Sequence, residues 1–160
     1  MTSPKIFHRA FERTLPGATS ASRWLDGIGA AEDICGNILF AMQICLEELF
    51  SNIVRHGGPA SSSPPEIFVT LEIHPCFLRM IVEDDGKPFD VSKARAEKIS
   101  RPLAGITPGG LGVLLAKSYA DKLTYERSGG LNIVTAEFAR RAGGSYFGAA
   151  ILEPRATKID

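Results

Sequence analysis

The sequence predicts an α+β fold, a two-layer sandwich in which a mixed, mostly antiparallel sheet is covered on one face by helices. Three observations predict it. Two runs of alternating character, EIFVTLEIH at 66–74 and FLRMIVED at 77–84, are separated only by Pro75 and Cys76, the pattern of a half-buried hairpin. A second pair, KLTYER and LNIVTAEF, flanks SGG at 128–130. Between such strand pairs lie apolar segments with helical spacing, so the helices have one sheet face to cover.

The elements follow in order. Residues 5–14, KIFHRAFERT, loosely alternate and read as an edge strand, and the next segment has helical character around Trp24 and Leu25. Asp33 is a candidate cap for a long helix from about Ile34 to His56, since a short acidic side chain accepts from the first free N–H groups. HGGPASSSPP at 56–65 is a loop by its glycine and proline content. After the first hairpin, DDGKPFD at 84–90 is a turn. A polar, weakly helical stretch, VSKARAEKISRPLAG, leads to the turn TPGG at 107–110 and a helix in LGVLLAKSYAD. The tail after Arg140 matches no pattern. No repeat or linker divides the chain, and 160 residues suffice for one domain with a sizeable core.

Composition excludes several classes. Eighteen basic residues balance eighteen acidic ones, so no general field draws the chain to nucleic acid or an anionic membrane. Three cysteines, Cys35, Cys45 and Cys76, fit no zinc spacing and no disulfide framework. The N-terminal stretch lacks the apolar run of a signal peptide. No segment approaches the ~18 apolar residues of a membrane span. The expected location is the cytoplasm, with no membrane and no direct nucleic acid partner.

Three short stretches carry possible chemistry. On a helical wheel of ~100° per residue, the apolar residues of 38–53 form one arc, and Glu48 and Asn52 lie ~40° apart on its edge. Glu47 falls on the solvated side. An asparagine amide oxygen is a hard, neutral ligand suited to Mg²⁺, and a carboxylate one turn away can accept a proton. The plain alternative is a polar border on a solvated helix face. His56 is within reach of the same edge, but a histidine at a helix end, followed by Gly57 as the stop, is equally served by the helix dipole.

In FLRMIVED, Leu78, Met80, Val82 and Asp84 share one face, so Asp84 enters the covered layer and needs partners. An adenine exocyclic amine is one candidate donor, and Gly86 permits the approach of a flat ring. Asp85 points the other way, as a solvated side chain or a turn residue. A plain D-D-G turn explains the same letters. Gly109, Gly110 and Gly112 in PGGLG precede a helix, where free N–H groups and the dipole favour phosphate. No P-loop and no dinucleotide fingerprint occurs.

Taken together, E48-L-F-S-N52, D84-D-G86-K-P88-F-D90 and G109-G110-L-G112 resemble, in order and spacing, the N and glycine boxes of the GHKL (histidine kinase-like) ATPases, over about residues 10–140. Within that superfamily the D-x-G-x-P-F-D form and the P-G-G-L-G loop look most like the bacterial anti-sigma-factor serine/threonine kinases. The resemblance implies the Bergerat-type sandwich, ATP and Mg²⁺ as cofactors, Glu48 as general base and Asn52 as the Mg²⁺ ligand. It also implies that Asp84 receives the adenine amine above Gly86, and that Gly109, Gly110 and Gly112 hold the phosphates in a lid over 91–107. The implied partners are an anti-sigma-factor antagonist protein and a sigma factor, with a homodimer as the assembly. Two departures stand out. Pro88 replaces a glycine of many histidine kinases, and GGLNIVTAEF offers no assignable nucleotide-contacting threonine, Thr135 included.

The expected function is therefore an ATP-dependent kinase that phosphorylates a serine of a small antagonist. The alternatives are a module that binds nucleotide and sequesters a partner without catalysis, and a histidine kinase-type catalytic domain acting in trans. Against the last, none of His8, His56 and His74 lies in an upstream helical dimerisation segment.

Overall fold

The computed structural model describes residues 3–59, 63–90 and 119–140. Five strands, β1 (Lys5–Glu12), β2 (Glu66–Ile73), β3 (Phe77–Asp84), β4 (Lys122–Ser128) and β5 (Leu131–Ala139), form one sheet in the order β1-β2-β3-β5-β4. All four pairings are antiparallel. Two helices, α1 (Leu15–Ala31) and α2 (Gly36–His56), complete the described elements. The expected lid at 91–107, Gly109, Gly110 and Gly112, most of the helix after them, and the tail from 141 lie outside the described residues.

Alternation decides the two faces. In β3, Leu78, Met80, Val82 and Asp84 are buried and their neighbours half-buried. In β5 the buried set is Asn132, Val134, Ala136 and Phe138. The apolar members of both sets and Ile67, Val69 and Leu71 of β2 meet Met42, Cys45, Leu46, Leu49 and Phe50 of α2 in one core. On the opposite face Arg79 bridges Glu72 and Glu137, both at 2.9 Å, across three neighbouring strands. The β4–β5 hairpin closes through Gly129 and Gly130 at φ 57° and 83°. A two-residue turn with both φ positive matches the twist of its strands, and glycine takes it without a Cβ penalty.

Helix ends depart from the sequence reading in two places. Thr14 caps α1 by accepting from the Gly17 N–H at 3.1 Å, with Pro16 in the first turn. Asp33, expected to cap the second helix, instead terminates the first. It sits at φ 51°, and the Ile34 N–H donates back to the Gly29 carbonyl at 2.9 Å. This is a left-handed helix stop, closed by the buried pair Ile28 and Ile34. The second helix starts at Gly36 with Cys35 as its N-cap and no side-chain cap. At the far end Gly57 keeps helical angles (φ −62°), and the left-handed residue is Gly58 at φ 65°.

By length and composition alone α2 would suffice to cross a membrane, with mean hydropathy 1.3, although Gln43, Glu47, Glu48 and Asn52 interrupt its apolar residues. The apolar residues that raise this value include the arc packed on the sheet. The wheel assigned the edge residues correctly: Glu47 is exposed, Glu48 half-buried and Asn52 buried.

Candidate functional site: a cleft between the end of α2 and the ends of β3 and β5

Asp84 is the last residue of β3 and Asn132 its register partner in β5. Both point into the helix-facing layer, where they are 4% exposed. Across from them are the last two turns of α2. The two sides enclose a cavity lined by Leu49, Asn52, Ile53, His56, Gly57, Asp84, Lys87, Phe89, Asn132 and Val134. Asn52 and Asp84, far apart in the chain, therefore share one cleft. Its floor is apolar (Leu49, Ile53, Val134), and its polar groups are few and convergent, the composition of a small-molecule site.

The turn after β3 is held from three directions. The Asp84 carboxylate accepts from the Gly86 N–H at 2.7 Å and from Asn132 Nδ2 at 3.1 Å, both through Oδ1. The Lys87 N–H donates to the Gly57 carbonyl at 2.7 Å, tying the turn to the end of α2. Arg13 donates from Nη2 to the Gly58 carbonyl and lies 3.8 Å from Asp85 through Nη1. Asp85 was expected to be solvated or a turn residue. It follows the end of β3, and its side chain is 12% exposed beside Arg13.

Gly86 is closely surrounded by the chain itself. A Cβ there would stand 2.6 Å from the Gly57 carbonyl oxygen and 2.6 Å from Asp84 Oδ1. The close neighbour is the chain's own backbone. Gly86→Ala is expected to cost about 1–3 kcal/mol, the scale of overpacking a tight contact, and to loosen Asp84 with it. Urea unfolding of the variant measures this, and a midpoint equal to the wild type would refute it.

Burial pushes the Asp84 carboxyl above its ordinary range, against the opposing pull of the Gly86 N–H, Asn132 and Arg13. Glu48 is also raised, by burial and then by the neighbouring Glu47, with Arg55 pulling the other way. Glu48 lies one turn before Asn52 on α2, outside the cavity lining. His56 both ends α2 and lines the cavity.

Among the described residues, no cluster of three or more His, Cys, Asp or Glu side chains is placed to hold a metal. Asn52 Nδ2, however, is buried with no hydrogen-bond partner. No bond on that nitrogen opposes an amide flip that would turn the oxygen to its place.

Asn132 was missed by the sequence reading, which looked for a threonine. The parity argument that found Asp84 would have found it, as the lone polar residue on the inward face N-V-A-F of β5. Thr135 pairs with Ile81 and Thr124 on the opposite face, away from the cleft.

The chain and its fold have known counterparts. Residues 12–138 match the family model described as the histidine kinase-like ATPase domain. The serine/threonine-protein kinase BtrW of Bordetella bronchiseptica is 29% identical over 76% of this chain and 85% of its own length. The serine-protein kinase RsbW of Bacillus cereus is 25% identical over 62% of this chain and 64% of its own. The RsbW of Bacillus licheniformis is 22% identical over 73% and 75% respectively. A crystal structure of the RsbU and RsbW domains of a Mycobacterium tuberculosis protein superposes with a TM-score of 0.61 at 17% identity, covering 86% of this chain and 34% of the other. By the extent of the family match and a fold to go with it, the chain belongs to the histidine kinase-like ATPase domain family.

Proposed function

We propose that the chain is an ATP-dependent serine/threonine protein kinase that phosphorylates a serine of a small antagonist protein and acts as an anti-sigma factor. The observation that carries the reading is the shared cleft: a buried carboxylate at Asp84 and a buried, unsatisfied amide at Asn52 on opposite walls. The kinase names of the relatives support the choice of reaction.

Adenine enters at the Asp84 end, its exocyclic amine donating to the carboxylate. The phosphates run along α2 toward its N-terminus, past Asn52 and then Glu48. Asn52 would hold Mg²⁺, which when bound neutralises phosphate charge. Glu48 takes the proton from the acceptor hydroxyl as the serine oxygen attacks the γ-phosphorus and ADP leaves. In such transfers the protein chiefly positions groups and balances charge. Gly109, Gly110 and Gly112 supply amide donors to the phosphates in the same reading. The sigma factor, the homodimer and a cytoplasmic setting belong to it as well.

Titration calorimetry with ATP, with and without Mg²⁺, tests the metal assignment. The wild type is expected to gain affinity from Mg²⁺, and Asn52→Ala to fall to the metal-free value. An Mg²⁺ gain preserved in Asn52→Ala would remove Asn52 from the metal site.

A further inference from the structure

The amide of Asn132 is engaged at both ends. Its Oδ1 accepts from Tyr125 Oη and from Arg127 Nη1, each at 2.8 Å. Its Nδ2 donates to Asp84 Oδ1 at 3.1 Å and to the Lys87 carbonyl at 2.9 Å, with the Gly86 carbonyl at 3.4 Å. Arg127 Nη1 also donates to the Gly86 carbonyl at 2.8 Å. A guanidinium has donors and no acceptor. Flipping the amide would set its NH₂ against Arg127 and its oxygen against Asp84, so one orientation is fixed. Asp84 Oδ1 then receives two donors, from Asn132 and Gly86. Oδ2 is left as the remaining acceptor of a residue that lines the cavity.

We propose that Arg127, an exposed residue on the edge strand β4, is a positioning residue for base recognition: through Asn132, and aided by Tyr125, it sets which oxygen of Asp84 meets the exocyclic amine of adenine. The inference rests on the ATP reading above. It couples the outermost strand of the sheet to nucleotide selectivity without any contact between that strand's arginine and the nucleotide. A purely structural arginine would affect all ligands of the cleft alike, whereas a positioning arginine affects only those that donate to Asp84.

The test compares ATP with purine riboside triphosphate, which lacks the exocyclic amine, by equilibrium binding to the wild type, Arg127→Ala, Arg127→Gln and Tyr125→Phe, with a thermal melt of each. The wild type is expected to prefer ATP by about tenfold or more, the worth of one hydrogen bond to a charged group. Arg127→Ala is expected to weaken ATP about tenfold, leave the analogue unchanged and so abolish the preference. Arg127→Gln, which keeps a donor, recovers part of it. An unchanged preference in Arg127→Ala, or equal weakening of both ligands, overturns the positioning role. Should Arg127→Ala fail to fold, preferences at the wild-type value in both Arg127→Gln and Tyr125→Phe overturn it instead. A wild type that binds both ligands equally, or neither, overturns the adenine reading itself and this inference with it. The two failures are thus distinguishable.

Discussion

Asp84→Asn is expected to weaken ATP binding by roughly 10- to 150-fold, the range for a hydrogen bond to a charged partner of about 1.5–3 kcal/mol, while leaving the fold at least as stable at neutral pH. The two effects separate because the carboxylate has different consequences for folding and for binding. Burial holds the Asp84 carboxyl above its ordinary value of 3.8. Between 3.8 and the raised folded value, the native state binds more protons than the unfolded chain. Stability attributable to this group therefore falls as pH rises through that window. Asparagine removes the charge and with it this pH dependence. Its side-chain oxygen still accepts from Gly86 and Asn132, but an NH₂ replaces the oxygen that receives the base, setting donor against donor. Calorimetric ATP titration and urea unfolding across pH measure both halves. Wild-type affinity in the variant would refute the base site, and a large loss of stability at neutral pH would refute the account of burial.

Glu48→Gln is expected to lower the rate of phosphate transfer to a serine acceptor by about 10²- to 10⁴-fold, the contribution of a positioned general base, with ATP affinity nearly unchanged. Single-turnover assays with labelled ATP separate these quantities. The pH dependence supplies a second check. A base acts only when deprotonated, and Glu48 is raised above 4.5 by burial and by Glu47. The acid limb of the wild-type rate should therefore lie above that value. Glu47→Gln, which removes a repelling charge on the exposed face, should move the limb to lower pH. Transfer at the wild-type rate in Glu48→Gln would assign the proton to another group. The position of Glu48 outside the cavity lining keeps the non-catalytic alternative in view. A wild type that binds ATP but labels no serine acceptor would decide for it.

The amphipathic wheel of α2 and the alternation of β2, β3 and β5 transferred directly into the fold. Periodicity records which face is covered, and a covered face is what the core requires. Asp33 shows the limit of such reading. Its letter suits an N-cap and a left-handed helix stop equally well, and the structure has the stop, with Asp33 at φ 51° and the Ile34 N–H bonded back to the Gly29 carbonyl. Gly86 shows another: its letter allows close approach without naming the approaching atom, and the carbonyl of Gly57 comes from a distant segment.

Among the described residues, the sequence alone determined the strands and the two helices, the burial of Asp84 and the polar edge of α2, because these follow from spacing along one chain segment. Only the tertiary structure decided that Asn52 and Asp84 line one cleft, that Asp85 meets Arg13, and that Asn132 donates to Asp84 while accepting from Arg127. Each of these depends on the register between strands or on where the end of α2 meets the turn after β3. Such contacts join distant residues whose meeting leaves no periodic trace in either segment.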